Sequence, residues 1–250
     1  MPIFDVNLTT VVLAAALTAL ATGLGALPFL LVRRISPTVL GVSQALAAGL
    51  MLAASHGLIA EGIALNPTRL LVGMLLGLAA IELAKALIDG REHPELGLLS
   101  GVDARKAFLI IAVMTAHSFA EGIGVGVSFG GSGELATFIT AAIAAHNIPE
   151  GLAISLILVP RGFSVLQAAA WSVFSSLPQP LMAAPAYLFV RWFEPLLPVG
   201  LGLAAGAMIW MVFAEIIPDA NKEVSPQTTA VAVVLAMATM LAFQYLVLKA

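Results

Sequence analysis

The sequence predicts an all-α integral membrane protein whose eight transmembrane helices form one bundle. Composition is the first reason: 60% of the 250 residues are hydrophobic and only 10% are charged, whereas soluble domains carry about 25% charged residues. The second reason is that apolar runs of about 20 residues, long enough to cross a bilayer core of about 30 Å, recur along the chain. These runs leave too little polar sequence for a soluble domain, so residues 1–250 are interpreted as a single transmembrane domain.

Polar, glycine-rich or proline-containing breaks divide the apolar sequence into eight predicted spans. Among these breaks are Asn66-Pro67, the stretch 130–133 and Pro160-Arg161-Gly162, because glycine and proline interrupt regular structure. The predicted spans are 8–32, 38–60, 68–88, 107–129, 134–159, 164–190, 196–217 and 228–248.

The distribution of Lys and Arg predicts that both termini lie outside the cytoplasm, because cytoplasmic loops of membrane proteins are enriched in these residues. The loops predicted to be cytoplasmic carry Arg33, Arg34, Arg91, Arg105, Lys106, Arg161 and Lys222, against Arg69, Arg191 and Lys249 on the other side. The loop 89–106 is then cytoplasmic, and its mixed charges predict a short, solvated and mobile segment on which His93 is a solvated side chain. A location in the cell (inner) membrane is expected.

Composition also excludes several functions. The net charge is −3 and there is no basic patch, so nucleic acid is not an expected partner. The absence of cysteine excludes disulfides, thiolate metal sites and a cysteine nucleophile. A bound metal must therefore be held by nitrogen and oxygen ligands. The acidic Asp5, rather than a basic segment, precedes the first span, so a cleaved signal peptide is not expected.

Two copies of a His/Glu motif lie inside apolar spans and predict one metal site. His117-Ser-Phe-Ala-Glu121 of the fourth span recurs as His146-Asn-Ile-Pro-Glu150 of the fifth. A charged residue at the centre of a membrane helix costs about 2.5–3.5 kcal/mol on insertion scales, so such groups are rarely accidental. Residues four apart share a helix face, and side chains lean toward the helix N-terminus. All four groups of the antiparallel spans are thus expected to converge at the bilayer midplane.

Two imidazoles and two carboxylates around one point suit Zn²⁺ and its first-row neighbours. The alternative is a structural His–Glu ion pair. A single motif would fit that alternative well, but two aligned motifs favour a metal site. Prolines predict kinks around the same site, because proline removes a helical hydrogen bond and clashes with the preceding turn. They are Pro149 between the fifth-span ligands, and Pro178, Pro180 and Pro185 in the sixth span.

Other polar residues in the spans are less specific. His56 of the second span is a possible pathway residue, whereas Glu61 lies about 140° around the helix and near its outer end, where solvation is the simpler explanation. Glu82 and Lys85 of the third span are three residues apart and are expected to form a structural ion pair.

With these motifs, the chain resembles the ZIP (Zrt/Irt-like) family of divalent-cation transporters, particularly its prokaryotic branch. The eight spans, the outward termini and the loop after the third span fit the resemblance, which covers the whole chain. It implies that His117, Glu121, His146 and Glu150 are the main ligands of a central, often binuclear, metal site. It also implies a homodimer in a lipid bilayer, and a metal-exit or proton role for Glu215 of the seventh span.

The chain departs from the family pattern at three positions. Ser118 replaces a common Asn, Asn147 a frequent acidic residue, and Gln179 a Glu that often precedes the sixth-span proline. Each change weakens or neutralises what would be the second metal position. The hypothesis is therefore one tightly held ion, with Ser118, Asn147 and Gln179 as outer-shell or transit ligands.

The predicted function is transport of Zn²⁺, or of Fe²⁺, Mn²⁺, Co²⁺ or Cd²⁺, into the cytosol, with the metal as cargo and with no catalytic cofactor. An enzyme is not expected. The alternative is a membrane-embedded zinc-dependent hydrolase, but the sequence has no His-Glu-x-x-His motif. A metal sensor would normally need a soluble output domain, and the apolar spans leave no room for one.

Overall fold

A computed structural model describes residues 7–32, 35–89 and 101–249, and every regular element in these ranges is helical. The helices are α1 (Leu8–Leu24), α2 (Pro37–Leu65), α3 (Pro67–Asp89), α4 (Gly101–Ser128), α5 (Gly133–Leu158), α6 (Val165–Ser176), α7 (Pro178–Trp192), α8 (Leu197–Met211), α9 (Ile217–Glu223) and α10 (Pro226–Lys249). Short 3₁₀ turns lie at Leu27–Leu30, Val159–Arg161 and Glu194–Leu196, and a π-helical turn at Val212–Ile216 joins α8 to α9.

Helices occupy the sequence regions of all eight predicted spans, and the first, sixth and seventh regions each contain more than one helical segment. Their bounds as membrane spans stay predictions. The sixth span is divided at Leu177 into helices of 12 and 15 residues, and the seventh consists of α8, the π-helical turn and α9. Five helical segments in the described residues are long and apolar enough to cross a membrane: Leu8–Leu30, Pro37–Leu65, Gly133–Arg161, Glu194–Glu223 and Pro226–Leu246. The whole set fits a bundle of membrane helices.

Polar caps account for where several helices begin. The side chains of Asn7, Ser36 and Ser132 each accept a hydrogen bond from a backbone N–H in the first turn of α1, α2 and α5. Ser164 and Gln167 form a reciprocal capping box at the start of α6. These bonds satisfy N–H groups that have no partner within the helix, so each helix begins at a polar residue between two apolar runs.

The predicted loop 89–106 is too long. Helix α4 already begins at Gly101, so residues 101–106, with Arg105 and Lys106, belong to its first turns. The charges of this stretch suited a loop, but Lys and Arg are also good helix formers. Asp5, Arg33, Arg34, Arg91 and His93 lie outside the described residues, and the orientation of the termini stays a prediction.

Proline has different consequences in α5 and at the start of α7. Helix α5 runs without interruption from Gly133 to Leu158 with Pro149 inside it. Pro178 is the first residue of α7, a position where the missing N–H would have had no helical partner. The kinks predicted for the fifth and sixth spans stay predictions.

Glycines bring the helices that surround α5 and α4 into close contact. A Cβ atom on Gly151 of α5 would lie 1.7 Å from the carbonyl oxygen of Thr22 on α1. A Cβ atom on Gly122 of α4 would lie 2.6 Å from the carbonyl oxygen of Gln179 on α7. Only glycine permits such an approach of two helices. These contacts place residues of α1 and α7 beside the His/Glu motifs.

The outer surface of the bundle is apolar. Leu13, Leu17 and Leu20 of α1 follow one another at helical spacing and are exposed by 59%, 64% and 56%. A soluble monomer rarely exposes so continuous an apolar surface. The polar groups of the motifs lie instead in the interior, where His117, Glu121 and His146 are at most 1% exposed.

Candidate metal centre

The two motifs meet inside the bundle. Glu121 on α4 and His146 and Glu150 on α5 each offer one ligand atom, and these three atoms lie within 4.8 Å of one another. The side chains are 0%, 0% and 7% exposed. We call these three residues the central cluster. Two carboxylates and an imidazole that share a site with so little solvent strongly favour a cation between them.

The imidazole ring of His146 is oriented by its own helix. Its Nδ1 lies 3.2 Å from the carbonyl oxygen of Ala142, one turn earlier in α5. Its Nε2 lies 3.1 Å from Glu121 Oε1 and 4.0 Å from Glu150 Oε1. An Nδ1–H donated to a backbone carbonyl is the usual way in which proteins fix the ring of a metal-binding histidine and leave Nε2 as the ligating atom.

His117 lies at the edge of the central cluster rather than within it. Its Nδ1 is 3.9 Å from Glu150 Oε1, and its Nε2 is 2.6 Å from Glu215 Oε2 in the π-helical turn. The sequence predicted all four motif residues around one point. The structure brings three of them together and gives the fourth a second partner, because the turn at Val212–Ile216 carries Glu215 to α4.

An amide network covers one side of Glu121. Gln179 Nε2 donates a 2.6 Å hydrogen bond to Glu121 Oε2, and Asn147 Nδ2 donates to Gln179 Oε1 at 3.1 Å. Asn147 Nδ2 also lies 2.7 Å from the carbonyl oxygen of Thr18, and the Thr18 hydroxyl lies 2.6 Å from Gln179 Oε1. Thr18 of α1 was not predicted as a site residue. A lone threonine in an apolar run carries no metal-binding signal, and only the packing of α1 against α5 reveals it.

Several buried polar atoms of the two motifs have no hydrogen-bond partner among the described residues. They are His117 Nδ1, Ser118 Oγ, Asn147 Oδ1 and Glu150 Oε1. Most buried polar atoms in proteins are satisfied, so a group of unsatisfied ones indicates a site that a ligand or water completes. Two of them, His117 Nδ1 and Glu150 Oε1, are of the imidazole and carboxylate types that bind Zn²⁺.

Glu215 connects the site to a lysine. Its Oε1 lies 3.2 Å from Lys85 Nζ, and the Lys85 ammonium lies 5.0 Å from the centre of the Trp210 ring. The indole N–H of Trp210 donates a 2.6 Å hydrogen bond to Glu82 Oε1. The predicted Glu82–Lys85 ion pair is therefore wrong. Helix α3 packs closely against α8, which gives Glu82 a partner on α8 and Lys85 a partner in the π-helical turn that follows it.

His56 is placed apart from these groups. Its side chain is exposed on α2 between the buried Ser55 and Gly57. The structure thus does not bring this possible pathway residue to the central cluster. Glu61 lies near the C-terminal end of α2, close to Gly131 in the connection between α4 and α5.

Comparison with known proteins matches residues 90–244 to the family model described as ZIP Zinc transporter. The zinc transporter GufA of Myxococcus xanthus is 32% identical over 223 residues, which cover 84% of this chain and 87% of that protein. The zinc transporter ZIPB of Bordetella bronchiseptica is 33% identical over 248 residues, which cover 92% of this chain and 79% of that protein.

An Arabidopsis thaliana protein named as a candidate zinc transporter is 46% identical over 240 residues. The match covers 94% of this chain but only 38% of the plant protein, so the chain spans less than half the length of that relative. Because the relatives include a plant protein as well as bacterial ones, the prokaryotic branch in particular stays a prediction.

Proposed function

The chain belongs to the ZIP zinc transporter family, and from that premise we propose that it carries Zn²⁺, or a related divalent transition-metal ion, across a cell membrane into the cytosol. The observation that carries the proposal is the central cluster of Glu121, His146 and Glu150, buried between two membrane helices. Family membership does not favour the hydrolase alternative.

The donor set supports a borderline transition-metal ion as cargo. Nitrogen from imidazole and oxygen from carboxylate suit Zn²⁺, Fe²⁺, Mn²⁺, Co²⁺ and Cd²⁺, and no thiolate is present to select a soft ion. The ion would exchange its water ligands for Glu121, His146 and Glu150, with His117 Nδ1 as a further donor on the side of Glu150, from which it lies 3.9 Å. Two carboxylates also supply the negative charge that a dehydrated divalent cation requires.

The environment of Glu121 supports one ion per chain. One of its oxygens faces His146, while the other accepts the hydrogen bond from Gln179. Gln179 and Asn147 are uncharged, so the amide network offers a second cation no additional negative charge. We infer that Ser118, Asn147 and Gln179 act as outer-shell or transit groups and that the ion is held by the central cluster.

Protonation offers a route to release. Metal binding requires ionised carboxylates and neutral imidazoles, so protons and metal compete for the same atoms. A carboxylate left uncompensated when the ion departs would be costly at this depth. We propose that Glu121 or Glu150 accepts a proton as the ion leaves, which makes transport sensitive to pH.

Uptake of ⁶⁵Zn²⁺ into proteoliposomes tests the function. Wild type should show saturable uptake, and His117→Ala/His146→Ala should not, although it should fold as judged by circular dichroism and gel filtration. Tight zinc binding by wild type without any uptake would refute transport and favour a structural metal. The location in the cell (inner) membrane, the outward termini and the homodimer stay predictions, which protease accessibility and cross-linking can test.

A further inference from the structure

We propose that Lys85 is a tethered cation that occupies Glu215 in the metal-free protein and is exchanged for the metal ion as the ion leaves the central cluster. The inference rests on the proposed transport function. Lys85 lies outside the two His/Glu motifs, and its proposed role is to compete with the departing ion for Glu215. This competition limits how tightly Glu215 holds the ion.

A continuous line of polar atoms leads from the central cluster to Lys85. Glu150 Oε1 lies 3.9 Å from His117 Nδ1, and His117 Nε2 lies 2.6 Å from Glu215 Oε2. The other oxygen of Glu215, Oε1, lies 3.2 Å from Lys85 Nζ. An ion that moves from Glu150 to His117 therefore meets Glu215 next, and both oxygens of that carboxylate already have partners.

The position of Glu215 depends on the π-helical turn at Val212–Ile216. An extra residue in one turn of a helix directs a side chain differently from the surrounding α-helical pattern, and such turns are frequent at functional sites. Here the turn directs Glu215 toward both α3 and α4, with 15% of its side chain exposed. A carboxylate in this position needs a cation close to it.

Lys85 is held by contacts that restrain its ammonium without burying it. Trp210 lies beneath the ammonium and is itself fixed by its hydrogen bond to Glu82. The side chain of Lys85 is 38% exposed, so the ammonium can swing outward on its flexible stem when another cation binds Glu215. Its return would weaken the hold of Glu215 on a metal ion. The carboxylate therefore has a cation beside it before and after the exchange, and the divalent ion brings one more positive charge than the ammonium.

The exchange predicts opposite changes in affinity and rate. In the Lys85→Met variant no ammonium competes with a metal ion for Glu215. This variant should therefore bind Zn²⁺ about fivefold more tightly than wild type, in the range expected for a partly exposed ion pair. The same variant should release the ion more slowly, with a lower maximal uptake rate and a lower KM. Lys85→Arg keeps the positive charge and should resemble wild type in both measurements.

The experiment compares equilibrium Zn²⁺ binding in detergent with ⁶⁵Zn²⁺ uptake into proteoliposomes. The variants are Lys85→Met, Lys85→Arg and, as a matched control, Lys222→Met, which removes an exposed lysine that pairs with Asp219 on α9. Affinity that rises while the rate falls in Lys85→Met alone supports the exchange. A purely structural role for Lys85 would lower affinity and rate together.

The possible results distinguish a failure of this inference from a failure of the proposed transport function. In one result, wild type takes up zinc and requires His146 for zinc binding, while Lys85→Met has the same affinity and rate as wild type. That result would overturn the inference about Lys85 alone. Weaker binding in Lys85→Met would also overturn it, because Lys85 would then merely keep Glu215 in place. Wild-type zinc binding that is insensitive to His146→Ala, or an absence of uptake, would overturn the proposed function and the inference with it.

Discussion

Gln179 on α7 donates a 2.6 Å hydrogen bond to Glu121 on α4, and both side chains are completely buried. The bond brings a neutral amide to the side of the carboxylate that faces away from His146. Hydrogen bonds to a charged acceptor are among the stronger ones in proteins. Glu121 is thus oriented toward the central cluster, while its second oxygen is shielded from a further cation.

The Gln179 contact predicts a change in metal stoichiometry. Wild type should bind one Zn²⁺ per chain, whereas Gln179→Glu should bind two at high zinc, since a third carboxylate beside Glu121 and Glu150 requires more positive charge. Metal content measured by mass spectrometry after gel filtration in zinc tests this. Gln227→Glu, on the exposed start of α10, is the control and should bind one ion. If wild type bound two ions, the amide network would not limit the chain to one Zn²⁺.

Loss of a central carboxylate should abolish tight binding. Glu121→Gln keeps the shape of the side chain but removes its charge, and zinc affinity should fall by at least about 100-fold, the upper range for substitutions that merely surround a metal site. Glu134→Gln, at the first turn of α5, is the matched control and should bind as wild type does. Competition with a fluorescent zinc chelator measures both. Equal losses in the two variants would point to a general effect of carboxylate removal.

Zinc affinity should fall as the pH is lowered from about 8 to about 5.5, a range that includes the reference histidine pKa of about 6.5. Protons compete with the metal for His146 and for the carboxylates of the central cluster, so binding should also release protons. Calorimetric titration in buffers with different ionisation enthalpies measures that release. An affinity that stays constant over this range would refute the proposed proton-linked release.

The close contact between α1 and α5 predicts that Gly151→Ala is destabilising. Its new Cβ atom would lie 1.7 Å from the Thr22 carbonyl oxygen, so the helices would have to separate, at a cost of about 1–3 kcal/mol or more. Gly124→Ala on α4 is the control, because its Cβ atom would be in ordinary contact, 3.5 Å from Ala204. Thermal unfolding in detergent should show a lower midpoint for Gly151→Ala only.

The separation of α1 from α5 should also affect the site. The Thr18 carbonyl accepts a hydrogen bond from Asn147 across the same interface. Gly151→Ala should therefore weaken zinc binding in addition to lowering stability. Wild-type affinity in a folded Gly151→Ala variant would show that the amide network does not depend on this contact.

Local sequence features account for the part of the site that could be predicted. His146 and Glu150 are four residues apart on α5, and the i,i+4 spacing alone places them on one helix face. Glu121 carries the matching motif of the preceding span, and the packing of α4 against α5 brings it to His146. The pairing of Lys85 could not be predicted in this way, because its partner Glu215 is 130 residues later in the sequence and comes close only through the π-helical turn.

The same contrast holds for the fold as a whole. Long apolar runs, their polar breaks and two His/Glu motifs inside them determined by themselves that the chain forms membrane helices around a polar site, because hydrocarbon tolerates neither unpaired backbone groups nor isolated charges. Tertiary structure alone decided that Thr18 and Gln179 cover Glu121 and that His117 turns toward Glu215. The contacts of Thr18 and Gln179 depend on how closely helices approach at Gly122 and Gly151, and helix approach is set by side-chain shape across residues far apart in the chain. The contact of His117 depends on the π-helical turn that carries Glu215.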